Sequence, residues 1–402
     1  MNHKSIQLLL KIYITSLLLF ACTNKKKGDL ADNYYDNGDT LAHINPSRNE
    51  FKKLPAHFVA SKSATIDHFF NKHWSLENSN ISFLVAKDGQ IIYEKYQGYA
   101  NKNKGTNITS TTPIHIASVS KVLTATAILE LVNAKKIDLD QKVNTILKQF
   151  PYPEITIKTL LNHRSGMRNY AYFTEDKGVW DRKTPFTNAD LLRVLGEKQI
   201  KLESPTNKRF AYCNTNYAIL ALIIEKTTGL KYGAAMKRMI FDPLGMKDTY
   251  VFDYEKDRKT AVPSYKGNNL ELAYDYLDAV YGDKNIYSTP RDLLKFDMAR
   301  NAPTFLNPQL RNEVFQGYSN EHKGTKNYGL GIRMIDWETG QHFYFHNGWW
   351  HGNTSSYVTL KKENVTIIAL SNKFSKMTYK VRDLAPLFGD YPFKLDKDEL
   401  GE

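Results

Sequence analysis

The sequence predicts an α+β fold in which the two ends of the chain share one sheet and a helical region is inserted between them. Two observations carry this prediction. β-rich runs with turn signals lie at residues 81–96 and again after about residue 325. Between about 136 and 300 the apolar residues instead have mainly helical spacing, with long polar loops.

The N-terminus indicates an exported protein. A lysine-containing start and a mostly apolar run to Ala21 precede Cys22, which is typical of a secretory signal peptide and not of a membrane span. The ending Leu19-Phe20-Ala21-Cys22 resembles a bacterial lipoprotein cleavage box. That resemblance implies that residues 1–21 are removed and that acyl chains on Cys22 anchor a fold lying outside the bilayer. The alternative is an ordinary signal peptide with an accidental cysteine.

Composition limits the remaining classes. Only Cys213 follows Cys22, so an internal disulfide framework is excluded and stability must come from a hydrophobic core. The formal charge of +13 suits an anionic envelope surface or a cell-wall polymer. Apart from Lys25-Lys26-Lys27, basic residues are mixed with acidic ones, and no basic–aromatic array indicates nucleic-acid binding.

Each element follows from local pattern. Residues 22–55 are polar and predict a flexible tether. Apolar residues at helical spacing within 64–74 predict a helix, and β-rich runs on both sides of Asp88-Gly89 predict a hairpin. The further predicted elements are a helix at about 118–134, helical pieces at Leu192–Leu195, Tyr217–Lys226 and Leu293–Ala299, strands at Tyr328–Ile335, His342–His346, Thr354–Lys361 and Val365–Ser371, and a last helix near Met377–Leu387.

Ser118 and Lys121 are the most informative pair in the chain. They form the only S-x-x-K of the 402 residues, just ahead of an apolar run. On a helix, positions i and i+3 share a face, so the ammonium group can reach the hydroxyl. A buried lysine loses the solvation of its charged form and can then take the serine proton, which makes a nucleophile. The Ser118 N–H would lie near the helix start, where free donors stabilise an oxyanion. A capping serine beside a surface lysine is the structural alternative.

A second cluster contains Tyr212 and Asn214, just before another apolar helix. Two residues apart on an extended loop, they face the same side. Beside a lysine ammonium the phenolate of Tyr212 becomes accessible, so this tyrosine can shuttle a proton, and Asn214 can hold Lys121 and a substrate amide together. The alternative is a packed tyrosine and an asparagine cap. Cys213, between them, predicts a small apolar filler rather than a redox switch.

A third cluster is Phe345-His-Asn-Gly-Trp-Trp-His-Gly352. Gly348 lets a strand backbone approach a ligand closely, and the N–H of Trp349 can join that of Ser118 as a two-donor oxyanion hole. His346 is a titratable donor near neutral pH. The alternative is a metal site on the three histidines of this region, His342, His346 and His351, but no carboxylate or cysteine joins them.

In the order S-x-x-K, Y-x-N and H-x-G, the three clusters resemble the serine β-lactamase and penicillin-binding-protein superfamily, on its class C β-lactamase and D-alanyl-D-alanine carboxypeptidase side. Secondary phrases are similar too: Leu160–Gly166, Pro243–Met246 and Tyr287–Leu293. The resemblance implies a five-stranded antiparallel sheet flanked by helices, with an inserted helical region. The implied organisation is a catalytic domain at 56–390, with a sheet part at 56–117 and 325–390, a helical part at 118–324, and a tail at 391–402.

The resemblance also implies roles. Ser118 resembles the acylated nucleophile and Lys121 its activating base. Tyr212 resembles the general base and acid that protonates the leaving group and later activates water. Asn214 resembles the residue that ties the lysine to the substrate. The resemblance implies neither a metal nor a cofactor.

The third motif departs from class C β-lactamases, which carry the lysine of K-T-G where this chain has His346. A lysine attracts a drug carboxylate with a fixed charge, whereas a histidine does so only when protonated. Efficient β-lactam hydrolysis is therefore not favoured. Gly348 and the Trp349 N–H complete the implied oxyanion hole. The Trp349-Trp350 pair either narrows the cleft, stacks on a substrate, or packs as a rim.

These predictions converge on a serine hydrolase of the bacterial cell envelope, with its fold in the periplasm or outside the cell. It would work through an acyl-enzyme on D-amino-acid peptides of the cell wall or on small esters. Its expected partners are a small peptide, ester or β-lactam-like substrate, a cell-wall polymer, and the membrane through the lipid anchor, without nucleic acid. A class C-like β-lactamase and a non-catalytic binder of cell-wall fragments are the alternatives. A complete set of nucleophile and bases favours an enzyme, because a binder needs no base.

Overall fold

The structure is a computed structural model that describes residues 41–74, 79–321 and 326–394. The predicted signal peptide, Cys22 and the first part of the tether lie outside the described residues. Among the helices that are described, none combines the length and the apolar character needed to cross a bilayer.

One large antiparallel sheet organises the described residues. Its strand order is β10-β11-β12-β13-β14-β1-β2, so the N-terminal hairpin pairs with the C-terminal strands through β1 and β14. The predicted α+β class, with a sheet assembled from both ends of the chain, is confirmed. The strands are β1 Ile81–Lys87, β2 Gln90–Gln97, β3 Tyr99–Asn101, β4 Thr106–Asn107, β5 Ile114–His115, β6 Tyr250–Val251, β7 Ser264–Tyr265, β8 Glu271–Leu272, β9 Ile286–Ser288, β10 Lys326–Tyr328, β11 Arg333–Asp336, β12 His342–Trp350, β13 Asn353–Leu360 and β14 Val365–Ser371.

The strand number departs from the five that were predicted. The described sheet has seven strands, because β10 and β11 extend one edge. The predicted single strand Tyr328–Ile335 is in fact these two short strands and the turn between them. Gly331 has φ +89°, and a Cβ there would lie 2.2 Å from the Cβ of Ala125. The chain turns back at this point because only glycine fits this conformation and this approach to the central helix.

The helices surround this sheet. The central helix α2 is buried over almost its whole length, as expected of a helix whose sequence is apolar on all sides. The three predicted helical pieces lie within α6, α7 and α11, and the last predicted helix is a 3₁₀ run, Lys376–Leu387. The helices are α1 Ala56–His73, α2 Ser120–Asn133, α3 Val143–Ile146, α4 Ile157–Leu161, α5 Tyr170–Phe173, α6 Asn188–Glu197, α7 Asn214–Thr228, α8 Tyr232–Met236, α9 Asp242–Leu244, α10 Tyr254–Asp257, α11 Pro290–Arg300 and α12 Pro308–Val314, with a π-helical turn at Lys237–Phe241.

The two faces of the sheet pack against different cores. On β12, Phe343 and Phe345 face the cluster that contains α1, whereas Tyr344 joins the larger cluster around α2. Side chains alternate along a strand, so His346 and Gly348 face the same side as Tyr344. This alternation places the third predicted motif against the start of α2.

Candidate active site

Ser118 and Lys121 are in direct contact. Ser118 lies in the 3₁₀ turn Ala117–Val119, immediately before α2 begins. The Nζ of Lys121 donates to the Oγ of Ser118 at 3.0 Å and to the backbone carbonyl of Asp283 at 2.8 Å. Lys121 is fully buried, whereas Ser118 is half-buried. The alternative of a surface lysine is wrong.

The turn that presents Ser118 is strained and held in place. Ala117 has φ +47°, a conformation that costs a non-glycine residue about 1–2 kcal/mol. Its N–H donates to the Nδ1 of His115 at 3.2 Å. Burial lowers the pKa of His115 to about 4, so the ring is neutral near pH 7 and its Nδ1 can accept. His115 thereby fixes the residue that precedes the nucleophile.

The backbone of β12 passes directly over the same turn. A Cβ added at Gly348 would lie 2.9 Å from the Ser118 nitrogen and 2.6 Å from the carbonyl oxygen of Ile116. The pairing of β12 with β11 ends at Phe345, so the following stretch has β13 as its strand partner on one side only. Because the Ser118 nitrogen lies against this stretch, a backbone donor on it can share a ligand oxygen with the Ser118 N–H. The N–H of Trp349 remains the predicted donor.

The two tryptophans after Gly348 point to opposite sides. The Trp349 side chain is 63% exposed, and its Nε1 donates to the carbonyl of His351 at 2.9 Å. Trp350 is half-buried and donates from Nε1 to Asp278 at 2.6 Å. The Trp349 side chain therefore lies at the surface, whereas Trp350 contributes to the wall of a neighbouring cavity.

Tyr212 lies among cations and aromatic rings. The Nζ of Lys121 is 5.2 Å from its ring centroid, and the guanidinium of Arg333 is 4.5 Å from the same centroid. The ring of His163 packs 4.4 Å away. Tyr212 is therefore packed between Lys121 and Arg333, and its proton-transfer role stays a prediction.

Asn214 begins α7 and its Oδ1 is buried. Within the described part of the chain this oxygen has no hydrogen-bond partner, while Lys121 donates to Ser118 and Asp283. A buried acceptor without a donor is costly, so the site leaves Asn214 poised for a ligand donor. The implied tie between Lys121 and Asn214 stays a prediction.

His346 is fully buried on β12 and is held by two hydrogen bonds. Its Nδ1 lies 2.9 Å from the carbonyl of Asn347, which can only accept, so Nδ1 carries the proton. Its Nε2 then accepts from the Oη of Tyr328 at 3.3 Å. Burial, followed by the cations Arg333 and Lys121, holds the pKa of His346 well below its ordinary value. The ring is neutral near pH 7 and does not provide a cation.

Arg333 and His163 were not singled out from the sequence. Arg333 on β11 has ring contacts with Tyr212 and Tyr328 and, among the described residues, no ion-pair partner. His163 is buried against Tyr212, and its Nδ1 accepts from the Cys213 N–H at 3.2 Å. The phrase Leu160–Gly166 contains His163 and was a usable signal, whereas Arg333 has no local motif.

The remaining predictions of this region can be located. Burial raises the pKa of Cys213 to about 11, which fits an inert thiol packed in the core. The three histidines have separate partners: His342 pairs with Asp336, His346 with Tyr328, and His351 with Asp278. In the described ranges, the groups close enough to share a cation are Asp275, Asp278 and His351.

Comparison with known proteins identifies the family. The family model described as Beta-lactamase matches residues 68–387. The chain is 28% identical over 320 residues to Penicillin-binding protein 4* of Bacillus subtilis, which covers 75% of this chain and 70% of that protein. It is 27% identical over 301 residues to the Teichoic acid D-alanine hydrolase of Staphylococcus aureus, covering 73% of this chain and 70% of that protein.

A solved structure has the same fold. The penicillin-binding protein from Bacillus halodurans superposes with a TM-score of 0.70 at 21% identity and covers 83% of this chain and all of that one. The predicted resemblance is confirmed for the family, while the lipid anchor stays a prediction. The chain belongs to the beta-lactamase family and is a serine hydrolase of the kind that includes the penicillin-binding proteins.

Proposed function

We propose that the protein hydrolyses D-amino-acid peptides of the cell wall, or small esters, through an acyl-enzyme at Ser118. The observation that carries the proposal is the 3.0 Å contact between a fully buried lysine and the hydroxyl of Ser118. A non-catalytic binder gains nothing from burying a lysine in that position, since burial of a charge is costly. D-Alanine is also the group named for the staphylococcal relative.

The proposed steps follow from these contacts. In its unprotonated form, Lys121 takes the proton of Ser118 as the Oγ attacks the acyl carbon. The oxyanion is held by the N–H groups of Ser118 and Trp349. Tyr212 passes a proton to the leaving group, the acyl–leaving-group bond breaks, and the acyl group stays on Ser118. Tyr212 then takes a proton from the water that attacks the ester, the bond between the acyl group and Oγ breaks, and Lys121 returns its proton to Oγ, which restores the free hydroxyl.

Arg333 supports a substrate with a carboxylate. His346 is neutral, so Arg333 is the cation beside Tyr212 that can bind the terminal carboxylate of a D-amino-acid peptide. Arginine keeps its charge at every working pH and offers a planar fork that fits a carboxylate. Because Arg333 can also bind the carboxylate of a penicillin, a class C-like β-lactamase is the second candidate function.

Localisation is part of the proposal. Cys22 and the tether suggest an envelope lipoprotein, supported by the box Leu19-Phe20-Ala21-Cys22. We expect Cys22→Ser to accumulate as a precursor or as an unlipidated chain, with unchanged turnover in vitro. Detergent partitioning measures this, and equal partitioning of parent and variant into the detergent phase contradicts lipidation at Cys22.

Intact-mass analysis tests the chemistry. The full chain is incubated with a D-alanyl-D-alanine peptide, a p-nitrophenyl ester and a fluorescent penicillin, and then quenched. We expect an acyl mass increase in the parent and none in Ser118→Ala, which removes only the Oγ. An increase that persists in Ser118→Ala, or no increase and no turnover with any probe in the parent, contradicts the proposal. Rapid turnover of penicillin, with none of the peptide or ester, assigns the β-lactamase function instead.

A further inference from the structure

A cavity of about 400 Å³ lies beside the nucleophile turn, at the tip of the β12–β13 hairpin. His115, Asn285 and Trp350 contribute to its wall. Each lies two residues along the chain from a backbone group that adjoins Ser118 or Lys121, and two residues span at most roughly 7 Å. A group attached to the acyl carbon of a substrate on Ser118 can therefore extend into this cavity.

The wall of the cavity is rich in aromatic rings. Phe252 stacks on Tyr274 with ring centroids 5.3 Å apart and packs on Tyr287 at 5.6 Å. Tyr274 and Trp350 are half-buried, so part of each ring remains open to a ligand. Exposed ring faces with polar tips bind molecules that are apolar on one face and polar at the edges, which is the character of a sugar ring.

The polar groups of the wall suit a ligand with hydroxyl or amide donors. Asp278 is fully buried and accepts from the Nε1 of Trp350 at 2.6 Å and the Nε2 of His351 at 2.9 Å, so its charge is already matched. Asn353, 4% exposed, donates from Nδ2 to the Trp350 carbonyl at 3.3 Å. Its Oδ1 has no partner within the described residues. This oxygen is an acceptor that lacks a donor.

The rim of the cavity is cationic. Lys104, Arg258 and Lys259 are exposed there, and among the described residues that line the cavity Glu271 is the one exposed acidic residue. In the part of the chain that the structure describes, the side chains of Lys104 and Lys259 have no ion-pair partner. An acidic substituent at the outer end of a ligand would be attracted to them.

We propose that this cavity is a subsite for an acidic sugar, meaning a hydroxylated ring that carries a carboxylate or a phosphate. The position of the sugar next to the acyl group of the substrate rests on the proposed function, whereas the binding of the sugar in the cavity does not. The rival occupant is a divalent cation on Asp275, Asp278 and His351. The observations favour the sugar, because both Asp278 oxygens already accept from N–H donors and the rim repels cations.

Binding to the full chain carrying Ser118→Ala tests the proposal without any turnover. The probes are N-acetylmuramic acid, N-acetylglucosamine 6-phosphate and neutral N-acetylglucosamine, which separate a carboxylate source from a phosphate source and from the bare ring. Saturation-transfer NMR and titration calorimetry measure the affinities. We expect an acidic probe to bind at least about tenfold more tightly than the neutral one, and the difference to shrink at high salt.

Two variants sharpen the test. Lys104→Glu with Lys259→Glu should weaken the acidic probe about tenfold and leave the neutral probe unchanged. Lys148→Glu with Lys362→Glu, two exposed lysines that do not line the cavity, is the matched control and should change neither affinity. Tyr274→Ala should weaken all three probes, with the exposed Tyr172→Ala as its control; circular dichroism checks that each variant folds.

The outcomes separate the two proposals. Acidic-sugar binding that responds to the rim variants supports the subsite even if no substrate is turned over. The subsite is overturned if no sugar binds, if the neutral and acidic probes bind alike, or if zinc or calcium binds and is lost in Asp278→Asn while the sugars do not bind. Failure of the acylation experiment with intact sugar binding overturns only the proposed function.

Discussion

Two histidines five residues apart, near the end of one strand, have opposite electrostatic settings. Burial and the cations Arg333 and Lys121 hold the pKa of His346 well below its ordinary value. Burial would also lower the pKa of His351, but the hydrogen bond to Asp278 and its charge raise that pKa above the ordinary value. His346 is therefore neutral near pH 7, whereas His351 lies 2.9 Å from the Asp278 carboxylate, which favours its protonated form.

The difference shows that partner groups, not residue type or position on the strand, decide what each histidine can do. At the His346 end, Arg333 has no ion-pair partner among the described residues, and we expect it to bind a substrate anion. At the His351 end the carboxylate of Asp278 matches the charge within the protein, and the cavity keeps a neutral wall. Four predictions test this contrast, beginning with the largest expected effect.

Lys121→Arg should slow acylation about a hundredfold or more, nearly as much as Lys121→Ala. Arginine keeps the charge that holds His346 neutral, but it cannot give up its proton in a protein. General base catalysis is typically worth 10²–10⁴-fold, which sets the scale of the loss. A burst measurement isolates acylation from slow deacylation.

Rapid acylation by Lys121→Arg would contradict the role of Lys121 as the base. An arginine variant that acylates within about tenfold of the parent would show that Lys121 acts through its charge alone. In that case Tyr212 would be the better candidate for the base. Thermal unfolding of both variants is the control for loss of the fold, since Lys121 is fully buried.

Gly348→Ala should reduce acylation at least about tenfold while leaving sugar binding in the cavity measurable. The new Cβ would lie 2.9 Å from the Ser118 nitrogen and 2.3 Å from the Oγ of Ser355, so the oxyanion site has to shift. Even a displacement of about 1 Å near reacting atoms can cost a hundredfold. Gly267→Ala is the control, because its Cβ would come no closer than 3.8 Å to a neighbour. Equal activity of both variants would remove Gly348 from the site.

Arg333→Met should impair substrates with a carboxylate about tenfold more than a neutral p-nitrophenyl ester. Methionine keeps the packing on Tyr212 but loses the charge and the donors. The ratio of kcat/KM for a D-alanyl-D-alanine peptide and for the ester is the measurement. An equal loss for both substrates would mean that Arg333 acts on Tyr212 and not on a substrate anion.

Local spacing made part of the site predictable. Ser118 and Lys121 touch because residues three positions apart lie on the same face of a helical turn. This relation does not depend on the rest of the chain. The period of two on a strand likewise places Trp349 and Trp350 on opposite sides once the strand is known. The predicted fold class followed from β-rich runs at both ends of the chain, which is also a local signal.

The contacts between distant elements could not be predicted in this way. Arg333 reaches Tyr212 only because Gly331 turns the chain and sets the register of β11; a shift by one residue would place Arg333 on the other face. The same turn divides the predicted strand Tyr328–Ile335 in two. His351 was grouped with two other histidines because the sequence does not reveal that Asp278, far away in the chain, is its partner.

His351→Gln should have the smallest effect, a loss of about 1 kcal/mol of stability that depends on pH. The folded pKa of His351 is raised above its unfolded value, so its contribution is full below about pH 6.5 and is lost as pH rises through the folded pKa. The stability contribution of His346 depends on pH in the opposite direction: its folded pKa is depressed, so it favours unfolding as pH falls below about 6.5.

The difference in unfolding free energy between parent and His351→Gln should therefore shrink above pH 6.5. The difference between parent and His346→Gln should change only on the acid side. Urea unfolding from pH 5 to 9 measures the unfolding free energy of the parent and of each variant. Subtracting the parent curve from the variant curve cancels the contribution of other titrating groups such as Glu130, whose pKa burial raises to about 8. If both differences change on the same side of pH 6.5, the two histidines do not have opposite settings.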